Sequence, residues 1–141
     1  MPPVLIRVAA ADDDERLVAL WAGERPDRPA DAVRRWLVDE RRRDPDLVLV
    51  AVRDDGGVVG TVTGAFDGER GWIRHLVVDP AARGGGVGRA LVEELERRLR
   101  RLGAAQVSLN VFGANAGGRA FWRALGYEEV PEVVYARKRF G

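Results

Sequence analysis

A glycine-rich turn between an apolar segment and a long amphipathic segment is the feature that most constrains this chain. The apolar segment ends at Asp79-Pro80, and the turn extends from Arg83 to Gly88. Glycines let the backbone approach a ligand closely, and the free N–H groups and dipole of a helix N-terminus favour an anion. Arg83 and Arg89 flank the turn and can add charge-assisted contacts. The turn therefore predicts a site for a diphosphate group.

Two common diphosphate-binding motifs do not fit this turn. A P-loop ends in Gly-Lys-Ser/Thr, whereas this turn ends in Gly88-Arg89-Ala90. The dinucleotide fingerprint needs a third Gly or Ala, and after Gly84 and Gly86 that position is Arg89. For a glycine cluster considered alone, a tight turn without any ligand remains the alternative.

The spacing of apolar residues predicts ten elements in the order β-α-α-β-β-β-α-β-α-β. Short connections rich in Gly and Asp predict that the three middle strands form an antiparallel meander. We expect one α/β (α+β) domain over residues 1–141, with helices flanking a mixed, mostly antiparallel sheet. The predicted strands are Val4–Val8, Leu47–Arg53, Val58–Phe66, Trp72–Val78, Gln106–Val111 and Glu132–Arg139. The predicted helices are Asp12–Trp21, Pro29–Arg43, a helix from the glycine turn to Leu102, and Ala116–Ala124.

Composition excludes several classes of function. Lys and Arg number 23 against 22 Asp and Glu, so bulk charge gives no reason to expect nucleic-acid binding. The chain has no cysteine, which excludes disulfides and thiolate nucleophiles, and its single histidine argues against a transition-metal site. Apolar runs are too short to span a bilayer, and the first residues lack a signal-peptide pattern. We therefore expect a cytoplasmic protein without a metal or membrane partner.

A second motif lies at residues 115–127, where an Asn precedes an aromatic pair and a Leu-Gly-Tyr sequence. Together with the glycine turn at 83–88, it resembles the two signatures of the GCN5-related N-acetyltransferase (GNAT) superfamily, in that family's order and spacing. The resemblance covers about residues 4–139 and is strongest over 58–127. The segment from Gly60 to Gly71 is also similar to a small bacterial branch of that family.

The resemblance implies that acetyl-CoA is the co-substrate. In the family, pantetheine pairs with an exposed strand edge like an extra strand, and the diphosphate lies at the glycine turn. The backbone N–H of Val78 is the candidate for polarising the thioester oxygen. The implied cofactor-binding residues are Leu76, Val77, Val78, Arg83, Gly84, Gly85, Gly86, Val87, Gly88, Arg89, Asn115 and Trp122.

The chemistry implied by the resemblance is direct attack of an amine on the thioester, without an acyl-enzyme. This attack requires a general base, and His75 precedes Leu76 on the strand implied to line the cofactor. Imidazole changes its charge near neutral pH, which suits that role. The alternative is a partly buried strand histidine with one hydrogen bond. Strict alternation also predicts that Arg74 and His75 point to opposite faces of the sheet, without indicating which face holds the site.

The departing thiolate needs a proton, and here the sequence departs from the family pattern. The position after Phe121 is commonly Tyr in the family, whereas this chain has Trp122, whose indole has no proton to give at a useful pKa. Three alternatives remain: solvent protonates the thiolate, Tyr127 or Tyr135 replaces the missing Tyr, or turnover is slow. Of these tyrosines we take Tyr127 as the candidate catalytic residue.

The acceptor is implied only as a primary amine of a small molecule or a protein. We expect its pocket at residues 21–36, at the turn 67–70 and at the last pair of strands. A homodimer is a family expectation. Three alternative functions are considered: a weak acyl-CoA-binding or sensing protein on the same fold, a nucleotide or phosphometabolite binder, and a purely structural domain.

Overall fold

The computed structural model describes residues 3–141 and divides into two units, one ending at Leu109 and the other comprising Asn110–Gly141. The strands are β1 (Leu5–Val8), β2 (Val48–Val52), β3 (Val58–Phe66), β4 (Gly71–Val78) and β5 (Val107–Ser108). The helices are α1 (Asp14–Glu24), α2 (Ala30–Arg43), α3 (Val87–Leu102) and α4 (Ala116–Ala124). Only α4 belongs to the second unit.

The five strands form one sheet in the order β1-β2-β3-β4-β5. Strands β1 to β4 pair antiparallel, which confirms the meander predicted for β2, β3 and β4, and β5 pairs parallel with β4 at two positions only, Gly71 and Trp72. The turn between β2 and β3 is closed by a 2.9 Å hydrogen bond from the Arg53 N–H to the Gly57 carbonyl. The mixed, mostly antiparallel sheet with flanking helices confirms the predicted fold class.

Helices α1 and α2 cover one face of the sheet because both have an apolar stripe. Their buried side chains form one cluster with residues of β2, β3 and β4. Each large apolar side chain so buried contributes about 1.5–3 kcal/mol relative to exposure. The central members are Leu17, Trp21, Val33, Leu37, Val48, Val50, Val58 and Val77.

Helix α3 covers the opposite face and approaches the sheet closely at three glycines. A Cβ added at Gly64 would lie 2.6 Å from a methyl of Leu95, and one at Gly71 would lie 2.8 Å from Leu99. At Gly60 the corresponding distance, to Leu91, is 3.1 Å. Real Cβ atoms essentially never come as close as at Gly64 and Gly71, and the contact at Gly60 is tighter than most, so glycine at these positions sets the distance between the sheet and the leucine face of α3.

The predicted last strand does not form, and the fifth strand is shorter than predicted. Residues 132–139 have no strand structure, and β5 spans two residues instead of Gln106–Val111. A strand requires backbone hydrogen bonds to a neighbouring strand, and residues 110–141 contain no strand with which the last segment could pair. The apolar side chains that suggested the strand, including Val133, Val134 and Tyr135, are exposed.

The alternation expected for Arg74 and His75 is wrong because β4 contains a β-bulge. Thr63 pairs with His75 and Gly64 pairs with Ile73, so Arg74 is an extra residue without a partner in β3. A bulge shifts the side-chain alternation of the strand by one position. Both Arg74 and His75 consequently contact α2 on the same face of the sheet.

Candidate active site

The edge of β4 that faces away from β3 is open beyond Trp72. Strand β5 pairs with β4 only at Gly71 and Trp72, and no other strand in residues 3–141 continues the pairing along this edge. Unpaired strand edges present N–H and C=O groups that accept an extended ligand as an additional strand. The predicted pantetheine-binding residues Leu76, Val77 and Val78 lie on this open stretch.

The N–H of Val78 points to the open edge. The N–H of the next residue, Asp79, donates to the Val59 carbonyl of β3 at 2.8 Å. Because successive N–H groups of an extended strand point to opposite edges, the Val78 N–H points away from β3. It is therefore oriented towards a ligand bound along the edge.

The glycine turn after β4 presents unpaired backbone donors. Gly84 and Gly86 have φ values of 82° and 84°, a conformation that favours glycine, and Gly86 is the N-cap of α3. Ala90 is the first residue of α3 whose N–H bonds back to the turn, at 3.0 Å to the Gly86 carbonyl. The preceding N–H groups of the helix have no backbone acceptor within the described part of the chain. Unpaired N–H groups at a helix N-terminus can bind an anion.

The two arginines beside the turn differ in their contacts. Arg83 Nε donates to the Val78 carbonyl at 3.2 Å, and its Nη2 lies 3.0 Å from Glu24 Oε1. Exposed ion pairs of this kind contribute little, so Glu24 can be displaced by a phosphate. Arg89 is exposed on the first turn of α3, and the structure of residues 3–141 gives its side chain no hydrogen bond or ion pair.

Asp79 fixes the geometry of the chain between β4 and the glycine turn. Its Oδ1 accepts from the Ala81 N–H at 2.9 Å, and its Oδ2 pairs with Arg16 of α1. Arg16 Nε also donates to the Val58 carbonyl at 3.0 Å. The Ala81 N–H and then the Arg16 guanidinium lower the pKa of Asp79, so this carboxylate stays charged at neutral pH.

His75 lies between the helices α1 and α2 and the sheet. Its ring stacks with Trp21 at a centroid distance of 4.7 Å and with Trp36 at 5.8 Å. The guanidinium groups of Arg25 and Arg28 lie 5.4 and 5.6 Å from the Trp36 ring. The side chain of His75 keeps 24% of its surface exposed, so solvent can reach it.

A buried carboxylate, Glu40 of α2, faces His75. Glu40 is only 3% exposed, and its Oε1 lies 3.6 Å from His75 Nε2 and 3.2 Å from Arg74 Nε. Its Oε2 accepts from Arg43 Nη2 at 2.6 Å. Burial alone would raise the pKa of Glu40, but the His75 imidazole and the charges of Arg74 and Arg43 outweigh it and lower the pKa.

Two buried polar atoms beside His75 have no hydrogen-bond partner. They are Nε1 of Trp21, whose ring stacks on His75, and Oγ1 of Thr63, the residue that pairs with His75 across the sheet. An unpartnered buried polar group costs about 1–3 kcal/mol. The packing around His75 therefore leaves two buried hydrogen-bonding groups unsatisfied.

In the second unit, the predicted cofactor residue Asn115 is the N-cap of α4. Its Oδ1 accepts from the Gly118 N–H at 2.9 Å. Arg119, one turn into the helix, makes a bidentate pair with Glu129 at 2.7 and 2.8 Å. The side-chain oxygen of Asn115 thus has a structural role, which leaves its NH2 group as the part that can contact a ligand.

The aromatic residues of the second motif pack against each other. The Trp122 ring makes edge-to-face contacts with Phe121 at 5.0 Å and with Tyr127 at 5.2 Å. Trp122 occupies the position where the family commonly has Tyr, so Tyr127 is a phenol in direct contact with that position.

Of the residues around His75, sequence reasoning missed Glu40. Trp21 and Trp36 are the first and last residues of the segment expected to form the acceptor pocket, and their positions in α1 and α2 bring both rings onto His75. Glu40 lies in a strongly charged stretch of α2, where a single buried carboxylate has no signal of its own.

No group of three His, Cys, Asp or Glu residues within positions 3–141 is arranged to hold a metal ion. Over the same residues, no helix combines the length and apolar character needed to cross a membrane.

Comparison with known proteins identifies the family. The family model described as Acetyltransferase (GNAT) family matches residues 9–127. The chain is 38% identical over 136 residues to an acetyltransferase of Sodalis glossinidius (strain morsitans), covering 95% of this chain and 94% of that protein. It is 35% identical over 135 residues to an acetyltransferase of Pectobacterium atrosepticum, with 94% of each covered. The fold and these relatives define an acetyl-CoA-dependent N-acetyltransferase, and the chain belongs to the GNAT family.

Solved structures agree with the fold. An aminoglycoside 6'-N-acetyltransferase of Acinetobacter haemolyticus superposes with a TM-score of 0.80 at 19% identity, covering 97% of this chain and 99% of that one. An aminoglycoside N-acetyltransferase solved with CoA gives a TM-score of 0.80 at 23% identity, covering 97% of this chain and 95% of that one. At this identity the likeness concerns the fold, and it confirms the architecture expected from the sequence resemblance.

Proposed function

We propose that residues 1–141 form a single domain that transfers the acetyl group of acetyl-CoA directly to a primary amine of a small molecule or protein. The observation that carries this proposal is the open edge of β4, which leads into a turn of unpaired N–H groups. The match of one family model to residues 9–127 supports a single domain, because it includes residues of both units. The similarity in fold to a solved aminoglycoside 6'-N-acetyltransferase supports an amine acceptor.

The proposed cofactor contacts follow β4 and the turn after it. Pantetheine pairs with the backbone of Leu76, Val77 and Val78, and the diphosphate accepts hydrogen bonds from the first turn of α3. Arg83 exchanges its exposed partner Glu24 for a phosphate oxygen, and Arg89 adds a second positive charge. The family resemblance adds Asn115 and Trp122 as proposed cofactor contacts.

In the proposed reaction, the neutral amine nitrogen attacks the thioester carbonyl carbon, and His75 takes the proton that this nitrogen loses as the C–N bond forms. The carbonyl π electrons move to the oxygen, where the Val78 N–H stabilises the developing charge. Collapse of the tetrahedral intermediate re-forms the carbonyl and expels the CoA thiolate. Tyr127, in contact with Trp122, or solvent then returns a proton to the sulfur.

The first test is a thermal shift with acetyl-CoA, CoA, ATP and NAD at matched concentrations. A ligand present at about 100 times its Kd stabilises the folded state by about 2.7 kcal/mol, which corresponds to about 5–10 °C for a chain of this size. We expect stabilisation by acetyl-CoA and CoA alone. Stabilisation by ATP or NAD instead would indicate a nucleotide binder and refute the assignment of the turn.

The glycine turn is tested with two variants at one position. Gly86→Glu places a carboxylate where the diphosphate binds, whereas Gly86→Ala carries the same strain at φ 84° without the charge. We expect Gly86→Ala to retain CoA binding and Gly86→Glu to lose it. Equal affinity of the two folded variants would contradict the proposed diphosphate site.

Release of free thiol across a panel of amines tests transfer itself. A protein that binds acetyl-CoA but releases no thiol with any small-molecule or peptide amine would be the acyl-CoA-binding protein that Trp122 leaves as the alternative. We expect thiol release with at least one class of amine, with kcat lowered about 10²- to 10⁴-fold in His75→Ala.

A further inference from the structure

We propose that Glu40 is a positioning residue that holds the His75 ring with Nε2–H towards its carboxylate, leaving Nδ1 as the atom that accepts the proton of the amine. The inference rests on the proposed function, because it assigns the atom with which the proposed base acts. It adds a residue from a helix that the sequence motifs do not include.

The geometry around the carboxylate supports this assignment. Glu40 Oε1 lies 3.6 Å from His75 Nε2, and the ring is held in place by Trp21 on α1 and Trp36 on α2. Histidines that act as bases are commonly oriented by a carboxylate on the second ring nitrogen, which fixes the tautomer and stabilises the imidazolium.

Glu40 itself is unsuited to be the base. Its Oε2 accepts from Arg43, and its Oε1 also lies 3.2 Å from Arg74. These cations favour the charged form of the carboxylate, and burial leaves it 3% exposed, so an amine has no direct access. A carboxylate that stays charged beside an imidazole is, however, suited to stabilise the imidazolium formed when the amine loses its proton.

The bulge in β4 explains why this contact exists. Because Arg74 is the extra residue, His75 and Arg74 both reach α2, and the two share Oε1 of Glu40. The charged groups near this region are therefore Glu40 and Arg43 from α2 and Arg74 from β4, with Arg25 and Arg28 lying 5.4 and 5.6 Å from the Trp36 ring.

The first arm of the test uses the wild-type protein and needs no turnover. His75 is the only histidine of the chain, so the imidazole ¹⁵N resonances in an NMR spectrum belong to it without assignment. We expect the neutral ring to carry its proton on Nε2. A neutral ring protonated on Nδ1 would overturn the proposal, because Glu40 would then face an acceptor atom.

The second arm is a double-mutant comparison of Glu40→Gln in the wild-type and His75→Ala backgrounds. If Glu40 acts through His75, Glu40→Gln lowers kcat about 10- to 100-fold in the wild type, with KM for acetyl-CoA unchanged, and has no further effect in His75→Ala. An equal loss in both backgrounds would assign Glu40 a purely structural role and overturn the proposal.

Asp13→Asn is the matched control for removal of a buried carboxylate. Asp13 is 7% exposed and makes a bidentate pair with Arg7, away from His75. We expect this variant to lose stability while keeping the wild-type tautomer and kcat. A comparable loss of kcat in Asp13→Asn would show that the effect of Glu40→Gln reflects stability alone, contrary to the proposal.

The two arms separate this inference from the proposed function. A protein with the Nε2 tautomer that transfers acetyl to no amine would refute the proposed function and support the Glu40–His75 contact. A protein that transfers acetyl with the Nδ1 tautomer would retain the proposed function and refute the contact.

Discussion

Two threonines on the same face of β3 allow a direct measurement of what an unpartnered hydroxyl costs near the proposed site. Thr61 and Thr63 are both 0% exposed. The Thr61 hydroxyl donates to the Leu49 carbonyl at 2.8 Å, whereas the Thr63 hydroxyl has no partner. Replacement by Val keeps the branched shape of each side chain and puts a methyl group in place of the hydroxyl.

The expected effects have opposite signs. A buried hydrogen bond contributes about 0.5–1.5 kcal/mol net, so Thr61→Val should lower the free energy of unfolding by about 1 kcal/mol. An unpartnered buried hydroxyl costs about 1–3 kcal/mol, and part of that gain is offset because a methyl must fit a space shaped for an oxygen. Thr63→Val should therefore raise the free energy of unfolding by about 1 kcal/mol.

Urea denaturation followed by circular dichroism measures this difference of about 2 kcal/mol. With an m-value of about 2 kcal/mol/M, the midpoints of the two variants should differ by about 1 M. If Thr63→Val is destabilised as strongly as Thr61→Val, its hydroxyl has a partner, and a buried water bridging to it would be the explanation. That result would refute the reasoning that the region beside His75 contains an unsatisfied polar group.

Three further predictions concern packing, charge and capping. Gly64→Ala should lower the free energy of unfolding by about 1–3 kcal/mol because the added Cβ would lie 2.6 Å from Leu95. Gly23→Ala, within α1 and with nothing within 4 Å of the added Cβ, should raise the free energy of unfolding by about 0.5–1 kcal/mol. Thermal unfolding in which both variants shift in the same direction would contradict this expectation. The hydrogen bonds from the Arg7 guanidinium chiefly lower the pKa of Asp13, so the stabilising contribution of this carboxylate is present above about pH 4 and is lost as pH falls through the folded-state pKa. Asp13→Asn should therefore make the free energy of unfolding less dependent on pH at acidic pH. An unchanged pH dependence would exclude the Arg7–Asp13 pair as a source of stability. Asn115→Ala should cost α4 about 0.5–2 kcal/mol, visible as faster amide hydrogen exchange in that helix, and unaltered exchange would show that the cap is not needed.

The sequence was sufficient for the elements with clear boundary signals. Strand β3 and helix α4 were predicted with the bounds that the structure has, because turn residues flank the first and Asn115 caps the second. The predicted Glu132–Arg139 strand failed because apolar content alone does not supply a pairing partner. Strand formation depends on a neighbour in space, which a local pattern does not contain.

The candidate site was predictable in part for a related reason. The glycine turn has a local signature, since its residues are consecutive and its chemistry is carried by the backbone. The His75 environment has none, because Glu40 and Trp36 lie more than thirty residues earlier in the chain and reach the imidazole only through the packing of α2. Alternation then suggested the wrong relation between Arg74 and His75, because a bulge inserts one residue without a sequence pattern that identifies it.

That single inserted residue decides which face of the sheet carries the proposed base. Ile73 pairs with Gly64, whose side faces α3, so Ile73 lies on the α3 face. Under strict alternation His75 would share that face, whereas with Arg74 as the extra residue it faces α1 and α2. In the proposed mechanism, His75 and the Val78 N–H are then three residues apart, about 10 Å along one strand. The bulge thus allows β4 to carry both the proposed oxyanion donor on its open edge and the proposed base on the face where Glu40 can hold it.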